Sequence, residues 1–274
     1  MSYDGYRCLR IEVDGGVAFA TLDHPPINLL DLELMSELDR LSRELATDAD
    51  VRVLVLSSAD PEFFIAHADV ALIAQLPTEL RVKPTELGFF HAMVERYRTL
   101  PQATIAKIEG RTRGGGSELV LSLDMRFAAI GRAVLAQPEV ALGIIPGGSG
   151  TQRLPRLVGR GRALEVILGC DDFSAELAER YGYVNRALAP AAIGPFVERL
   201  ARRIASFPPG AVRRAKEAAA AAEPSPVQGL LVEDECFTRT LSDPETRRRM
   251  RAFLEAGGQT RDVELDLERL LTRF

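Results

Sequence analysis

Apolar and polar residues alternate over residues 8–13, Gly15-Gly16 turns the chain, and VAFATL over Val17–Leu22 continues the run, which predicts two strands joined by a tight turn. Pro25-Pro26 ends that run. Leu34, Leu38, Leu41 and Leu45 then recur at helical spacing behind Asp31, a predicted N-cap. VRVLVLS over 51–57 has the continuous apolar character of a parallel strand covered on both faces. Beyond FFIAHADVALIAQL the pattern predicts a long amphipathic helical region over 78–100, a strand over 104–108, a glycine-rich turn, a helix from about Glu118, and short strands over 127–129 and 133–135. From about Ala163 the pattern turns helical, and Pro208-Pro209 and Glu223-Pro-Ser-Pro226 divide it into separate helices. The ending RDVELDLERLLTRF carries apolar positions at helical spacing, as a helix packing on a neighbour would. The recurrence of strands and helices, without an internal sequence repeat, predicts a layered α/β domain.

Composition narrows the class. With 274 residues and 46% hydrophobic content, the chain can bury a sizeable core. A net charge of −5 argues against a general binder of nucleic acid or acidic membrane. Cys8, Cys170 and Cys236, and likewise His24, His67 and His91, lack metal-ligand spacing in the sequence, so neither a zinc site nor a disulfide framework is expected. MSYDGYRCLR has no apolar leader core, and no apolar run is long enough to span a bilayer. A soluble protein of a reducing compartment, the cytoplasm, is the expectation.

The stretch RGGGSEL, residues 113–119, raises a chemical question. Glycine loops opening onto helices often cradle phosphate, yet here Ser117-Glu118 stands where a P-loop has Lys and Ser/Thr. Leu119 occupies the third glycine position of a dinucleotide fingerprint. Glu118 also puts an anion where the helix dipole would hold one. The same geometry suits another use. Backbone N–H groups freed by glycine can stabilise a developing oxyanion, an effect worth about 3 kcal/mol per donor. A carboxylate set among Leu119, Val120 and Leu123 would be desolvated toward a pKa useful for acid–base work. The plain alternative is a tight turn with a capping glutamate. Glu139, in QPEVALGIIPGGSG, is a second acid entering an apolar, glycine-rich stretch, although a lone glutamate there also suits a capping role. Two such carboxylates can share one substrate, one removing a proton while the other supplies one.

With these segments in hand, the chain resembles the enoyl-CoA hydratase/isomerase, or crotonase, superfamily, and most of all its two-glutamate hydratases. VAFATLDHPPINLLD, DVRVLVLSSADPEFFIAHADV, IAKIEGRTRGGGSELVLSLDMRFA, QPEVALGIIPGGSGTQRLPRLVG, SFPPGAVRRAKEA and DPETRRRMRAFLE carry the resemblance, in order, over about residues 5–255. It implies an α/β spiral of repeated ββα units, expected over residues 1–200, with a C-terminal helical trimerisation region over 201–274. It implies acyl-CoA thioester substrates, a homotrimer or dimer of trimers, and no metal or redox cofactor, coenzyme A entering only as part of the substrate. By position, Gly115 and Ala68 supply the two oxyanion N–H donors. Glu118 and Glu139 match the catalytic pair, and Gly147 matches the glycine that helps hold the reacting water. Ala66, His67, Asp69 and Val70 lie along the coenzyme A path, and Leu30 lines the pantetheine channel. The implied reaction is syn addition of water to a trans-2-enoyl-CoA.

The sequence departs from the family in three places. His67 stands where glycine is usual, and would either point away from the acyl chain or add a polar or acid–base group. Arg111 and Arg113 replace small residues before the glycines; they could answer coenzyme A phosphates or a carboxylated acyl group, and are expected to be solvated or paired with Glu109. The ending lacks the usual lysine. The basic run over 247–251 alternates with acids nearby and reads as a solvated or intersubunit helix face rather than a nucleic-acid site. Double-bond isomerisation, chemistry on an unusual acyl-CoA, and a non-catalytic acyl-CoA-binding or scaffold role are the alternatives to hydration.

Overall fold

The computed structural model describes residues 3–80 and 82–273. Strands β1 (Leu9–Asp14) and β2 (Val17–Leu22) form the predicted hairpin, and α1 (Leu32–Thr47) follows. Asp31 caps α1 by accepting the Leu34 N–H, and the Leu34, Leu38, Leu41 and Leu45 stripe is buried. Next come β3 (Val53–Ser58), β4 (Phe63–Ile65), α2 (Val70–Ile73) and α3 (Phe89–Thr99). They are followed by β5 (Ala103–Ile108), β6 (Arg111–Arg113), α4 (Gly115–Leu121), β7 (Met125–Ala129) and β8 (Val134–Ala136). A 3-10 turn, Glu139–Leu142, precedes α5 (Gly150–Val158), α6 (Arg160–Gly169), β9 (Phe173–Ser174), α7 (Ala175–Tyr181) and β10 (Arg186–Leu188). The chain ends in α8 (Pro190–Ala205), α9 (Pro209–Ala220), α10 (Val227–Leu241), α11 (Pro244–Glu255), α12 (Arg261–Glu264) and α13 (Leu267–Leu271).

Two sheets result, one ordered β1-β2-β3-β5-β7-β10 and the other β4-β6-β8-β9. Each consecutive pair, β3/β4, β5/β6 and β7/β8, sends its first strand to the large sheet and its second to the small one. That repeat winds the chain into a spiral although the sequence shows no repeat. Within the large sheet β2, β3, β5, β7 and β10 are parallel, and only the β1–β2 hairpin is antiparallel. Both faces of this sheet are covered. Leu54, Leu56, Ala106 and Ile108 join the main core under α1 and α3. The alternate residues Val53, Val55, Ile105 and Phe127 pack on Ile193, Val197 and Ala201 of α8. The residue-200 boundary expected between core and helical region lies inside α8.

Three expectations are corrected. The helix over 78–100 is confined to Phe89–Thr99, with Gly88 at its N-cap. Pro77 and Pro84 punctuate the preceding stretch, in which residue 81 lies outside the described residues. Helix α4 begins at Gly115, a turn before Glu118, so Gly115 and Gly116 are part of the helix and Gly114 is its N-cap. The chain's ending forms two short helices, α12 and α13, and Asp266 between them leaves helical conformation (φ −132°, ψ 51°). It packs on its own chain. Leu267, Leu270 and Leu271 join Val70, Leu142, Ile144 and Phe253 in a third apolar cluster.

Candidate active site

The two sheets bring the loop after β4 against the start of α4. Leu30 and Ala68 form an isolated parallel bridge, with the Leu30 N–H donating to the His67 carbonyl (3.0 Å) and the Asp69 N–H to that of Leu30 (3.1 Å). This leaves the Ala68 N–H without a hydrogen-bond partner among the described residues, and the Gly115 N–H, at the first turn of α4, is in the same position. The two residues lie side by side. A Cβ on Gly115 would come within 3.7 Å of the Ala68 nitrogen and 2.9 Å of Leu30 Cδ2, so only glycine allows this approach. Leu30 itself is fully buried. The Ala66 N–H donates to the Ile27 carbonyl (3.2 Å). Asp69 caps α2, while the Val70 and Ala71 N–H groups both donate to the Gln259 side chain (2.9 and 3.2 Å).

Glu118 and Glu139 are both buried at this site. Glu118 Oε1 accepts the Gly148 N–H (2.7 Å) and the Gly150 N–H (2.8 Å). Burial, reinforced by the charge of Glu233, pushes its pKa up to about 7 against the pull of those two bonds. Burial and the neighbouring charge of Glu118 push Glu139 well above the ordinary carboxyl range. The hydrogen-bond pattern around Gln137 turns its amide NH₂ to Glu139 (3.2 and 3.1 Å) and its oxygen to the Ser117 hydroxyl (3.1 Å). Ser117 in turn meets the Tyr183 hydroxyl. The Gly147 N–H has no hydrogen-bond partner among the described residues, and a Cβ there would lie 2.5 Å from the Phe237 ring of α10. A small cavity of about 30 Å³ opens beside Ala68 and Glu139, and its remaining wall includes Leu142, Ile144, Phe253 and Leu271.

His67 is buried, its Nε2 2.9 Å from Glu264 Oε1, its Nδ1 2.7 Å from the Ala68 carbonyl and its ring edge-on to Phe253. Burial works against the charged ring, but the Glu264 charge and hydrogen bond outweigh it and raise the His67 pKa. Glu264 is also desolvated, yet His67 holds it below its ordinary value. The arginines differ from expectation. Arg113 is fully buried, pairs with Asp172 (2.5 Å) and donates to the Glu264 carbonyl (2.9 Å). Arg111 pairs with Glu62 and donates to the Leu265 carbonyl (both 2.9 Å), while Glu109 binds Lys107. Packing of α12 and α13 against β6 supplies partners that sequence neighbours do not. On α11, Arg248 and Arg249 pair with Glu245.

Sequence reasoning missed Gln137, Glu233, Gln259 and Glu264. A signal existed for two of them. Glu233 shares a helical stripe with Leu230, Phe237 and Leu241, and Glu264 shares one with Leu267 and Leu271. An acid in register with a buried stripe must find partners there. The fold also gathers Cys8, His24 and Glu33, with ligand atoms within 4.8 Å of one another. There the Cys8 Sγ meets His24 Nδ1 (3.3 Å) and His24 Nε2 meets Asp31 (2.7 Å), so both ring nitrogens have partners within the protein.

Residues 12–260 match the family model described as enoyl-CoA hydratase/isomerase. The short-chain-enoyl-CoA hydratase of Clostridium acetobutylicum is 33% identical over 247 residues, covering 89% of this chain and 94% of that protein. The crotonyl-CoA hydratase of Syntrophomonas wolfei is 32% identical over 253 residues, covering 91% and 96%. A solved Streptomyces avermitilis structure, described as a candidate enoyl-CoA hydratase, superposes with a TM-score of 0.91 at 43% identity and 98% coverage of both chains. Among the described residues no helix is long and apolar enough to cross a membrane.

Proposed function

Because the chain belongs to the enoyl-CoA hydratase/isomerase family, we propose that it is an enoyl-CoA hydratase, adding water across the double bond of a trans-2-enoyl-CoA to give a 3-hydroxyacyl-CoA. The observation that carries this is the burial of two carboxyls, Glu118 and Glu139, beside the paired Ala68 and Gly115 N–H groups. The thioester carbonyl would accept both N–H bonds, which strengthen as negative charge moves onto its oxygen. The different environments of the two acids suggest their roles. Glu139, which burial and the neighbouring Glu118 charge push toward the protonated form, supplies a proton to the α-carbon. Glu118, kept within reach of ionisation by Gly148 and Gly150, takes a proton from water as the hydroxyl joins the β-carbon. One water is consumed, and a proton passed from Glu118 back to Glu139 restores the site. The Gly147 N–H, which bonds no described residue, suits the attacking water.

The backbone of Ala66, His67, Asp69 and Val70, with Leu30 beneath it, is the proposed coenzyme A path. No metal or redox cofactor is invoked, since the thioester is the electron sink. A homotrimer or dimer of trimers is proposed, α9 presenting no buried residue within the single chain. A cytoplasmic location accords with three free thiols. Loss of the conjugated thioester absorbance of crotonyl-CoA tests the activity. Turnover should collapse by about 10²-fold or more in Glu118→Gln and in Glu139→Gln. An inactive wild-type protein on crotonyl-CoA and on longer and polar enoyl-CoAs would overturn the proposal.

A further inference from the structure

The turn at 147–151 presents four consecutive N–H groups that divide between two buried carboxylates. Gly148 and Gly150 donate to Glu118, whereas Ser149 (2.6 Å) and Thr151 (3.0 Å) donate to Glu233 of α10, which also accepts the Thr151 hydroxyl. His91 of α3 completes the Glu233 site at 2.8 Å. Glu233 is thus a four-donor hub outside the acid–base pair. Between the two acids sits Ser149 at φ +108°, a conformation that costs a non-glycine residue of the order of 1–3 kcal/mol unless its surroundings enforce it. Its enforcers are visible: Glu233 on its N–H and Arg153 on its hydroxyl (3.0 Å).

We propose that Glu233 is a positioning residue for Glu118: by holding the Ser149 and Thr151 N–H groups it fixes the strained turn that aims the Gly148 and Gly150 N–H groups at the Glu118 carboxylate. The four N–H groups belong to consecutive residues running through the left-handed Ser149 into the first turn of α5, so the two sets cannot move independently. If Ser149 relaxes, its neighbours on either side rotate away from Glu118. The inference rests on the hydratase reading and deepens it by adding a third buried acid, supplied by the C-terminal helical part. The charged and titratable groups acting on Glu118 are Glu233 from α10, His91 from α3, Glu139 from the 3-10 turn and Tyr183 after α7.

The test is Glu233→Gln, which keeps the size but opposes an N–H with its own amide donor. On crotonyl-CoA, kcat should fall about 10- to 100-fold, as expected for loss of buried bonds to a charged acceptor, with KM within about threefold. Loss of the Glu233 charge lowers the Glu118 pKa while loss of the Gly148 and Gly150 bonds raises it, so the acid limb of the kcat profile should move less in this variant than loss of the charge alone would move it. Adding Ser149→Gly lets the turn adopt φ +108° without Glu233. The double variant, with those two bonds restored and the charge gone, should recover part of kcat and carry its limb to lower pH. A kcat for Glu233→Gln within about twofold of wild type, or a loss that glycine does not relieve, overturns the inference. Should that variant fail to fold, Thr151→Ala removes the hydroxyl donor to Glu233 and leaves the N–H. It should lower kcat about threefold, and an unchanged kcat and limb there would overturn the inference equally. Wild-type inactivity, by contrast, would sink the hydratase reading itself.

Discussion

Two buried histidine–glutamate pairs flank the site, and they are built differently. At the oxyanion side, His67 meets Glu264 of α12 at 2.9 Å. At the proton-transfer side, His91 meets Glu233 of α10 at 2.8 Å. In each the histidine comes from the spiral and the glutamate from the closing helices. Glu233 spends both oxygens on backbone and hydroxyl donors. Among the described residues Glu264 accepts only His67 and the Gln259 N–H, leaving Oε2 with no hydrogen bond and Arg113 4.0 Å away. One carboxylate is neutralised chiefly by dipoles and fixes a turn. The other is neutralised by cations and clamps a loop to the tail. Compensation of Glu264 depends in part on His67, a titrating partner whose pKa the pair raises.

The largest effect should come from breaking the oxyanion side directly. Ala68→Pro removes an N–H that bonds none of the described residues, so none of their hydrogen bonds is lost. Its kcat on crotonyl-CoA should fall about 10²- to 10³-fold with the circular dichroism spectrum retained. Next, Glu118→Gln should sharpen the proton-transfer side. A carboxyl raised to about 7 is easily buried while neutral, and its contribution to stability is lost as pH rises from about 4.5 through 7. The glutamine variant escapes that loss. Urea melts should therefore show it gaining on wild type with rising pH, by up to roughly 3 kcal/mol between pH 5 and pH 8.

A smaller effect belongs to His67→Gln. The raised pKa of His67 means its contribution is fully present below about 6.5 and fades as pH rises through the folded value. The lowered pKa of Glu264 means its own contribution is present above about 4.5 and fades in acid. The variant should thus cost roughly 1–2 kcal/mol near pH 6 and less above the His67 pKa, measured by melts at both pH values. The smallest change is expected for Ser149→Gly alone. Relief at φ +108° offsets the lost Arg153 bond, and stability should move by less than about 1 kcal/mol.

Legibility in the sequence followed locality. The β1–β2 hairpin, the Asp31 cap and the α1 stripe depend on neighbours within a few residues, and each formed as expected. Glu118 and Glu139 stood out because each entered an apolar, glycine-rich stretch, and both are buried at one site. Arg111 and Arg113 were misassigned because their partners, Glu62, Asp172 and the α12–α13 backbone, lie 49 to 154 positions away. The helix expected over 78–100 was overextended because apolar spacing was followed through Pro84 and Gly88.

By itself the sequence determined the two-sided burial of the parallel strands, the catalytic candidates and the family, since local periodicity and contiguous motifs carry that information. The tertiary structure alone decided what surrounds them. Two glutamates on late helices, Glu233 and Glu264, close the two halves of the site through contacts spanning 142 and 197 positions. A carboxylate cannot remain buried without donors, and only the folded chain determines which donors reach it.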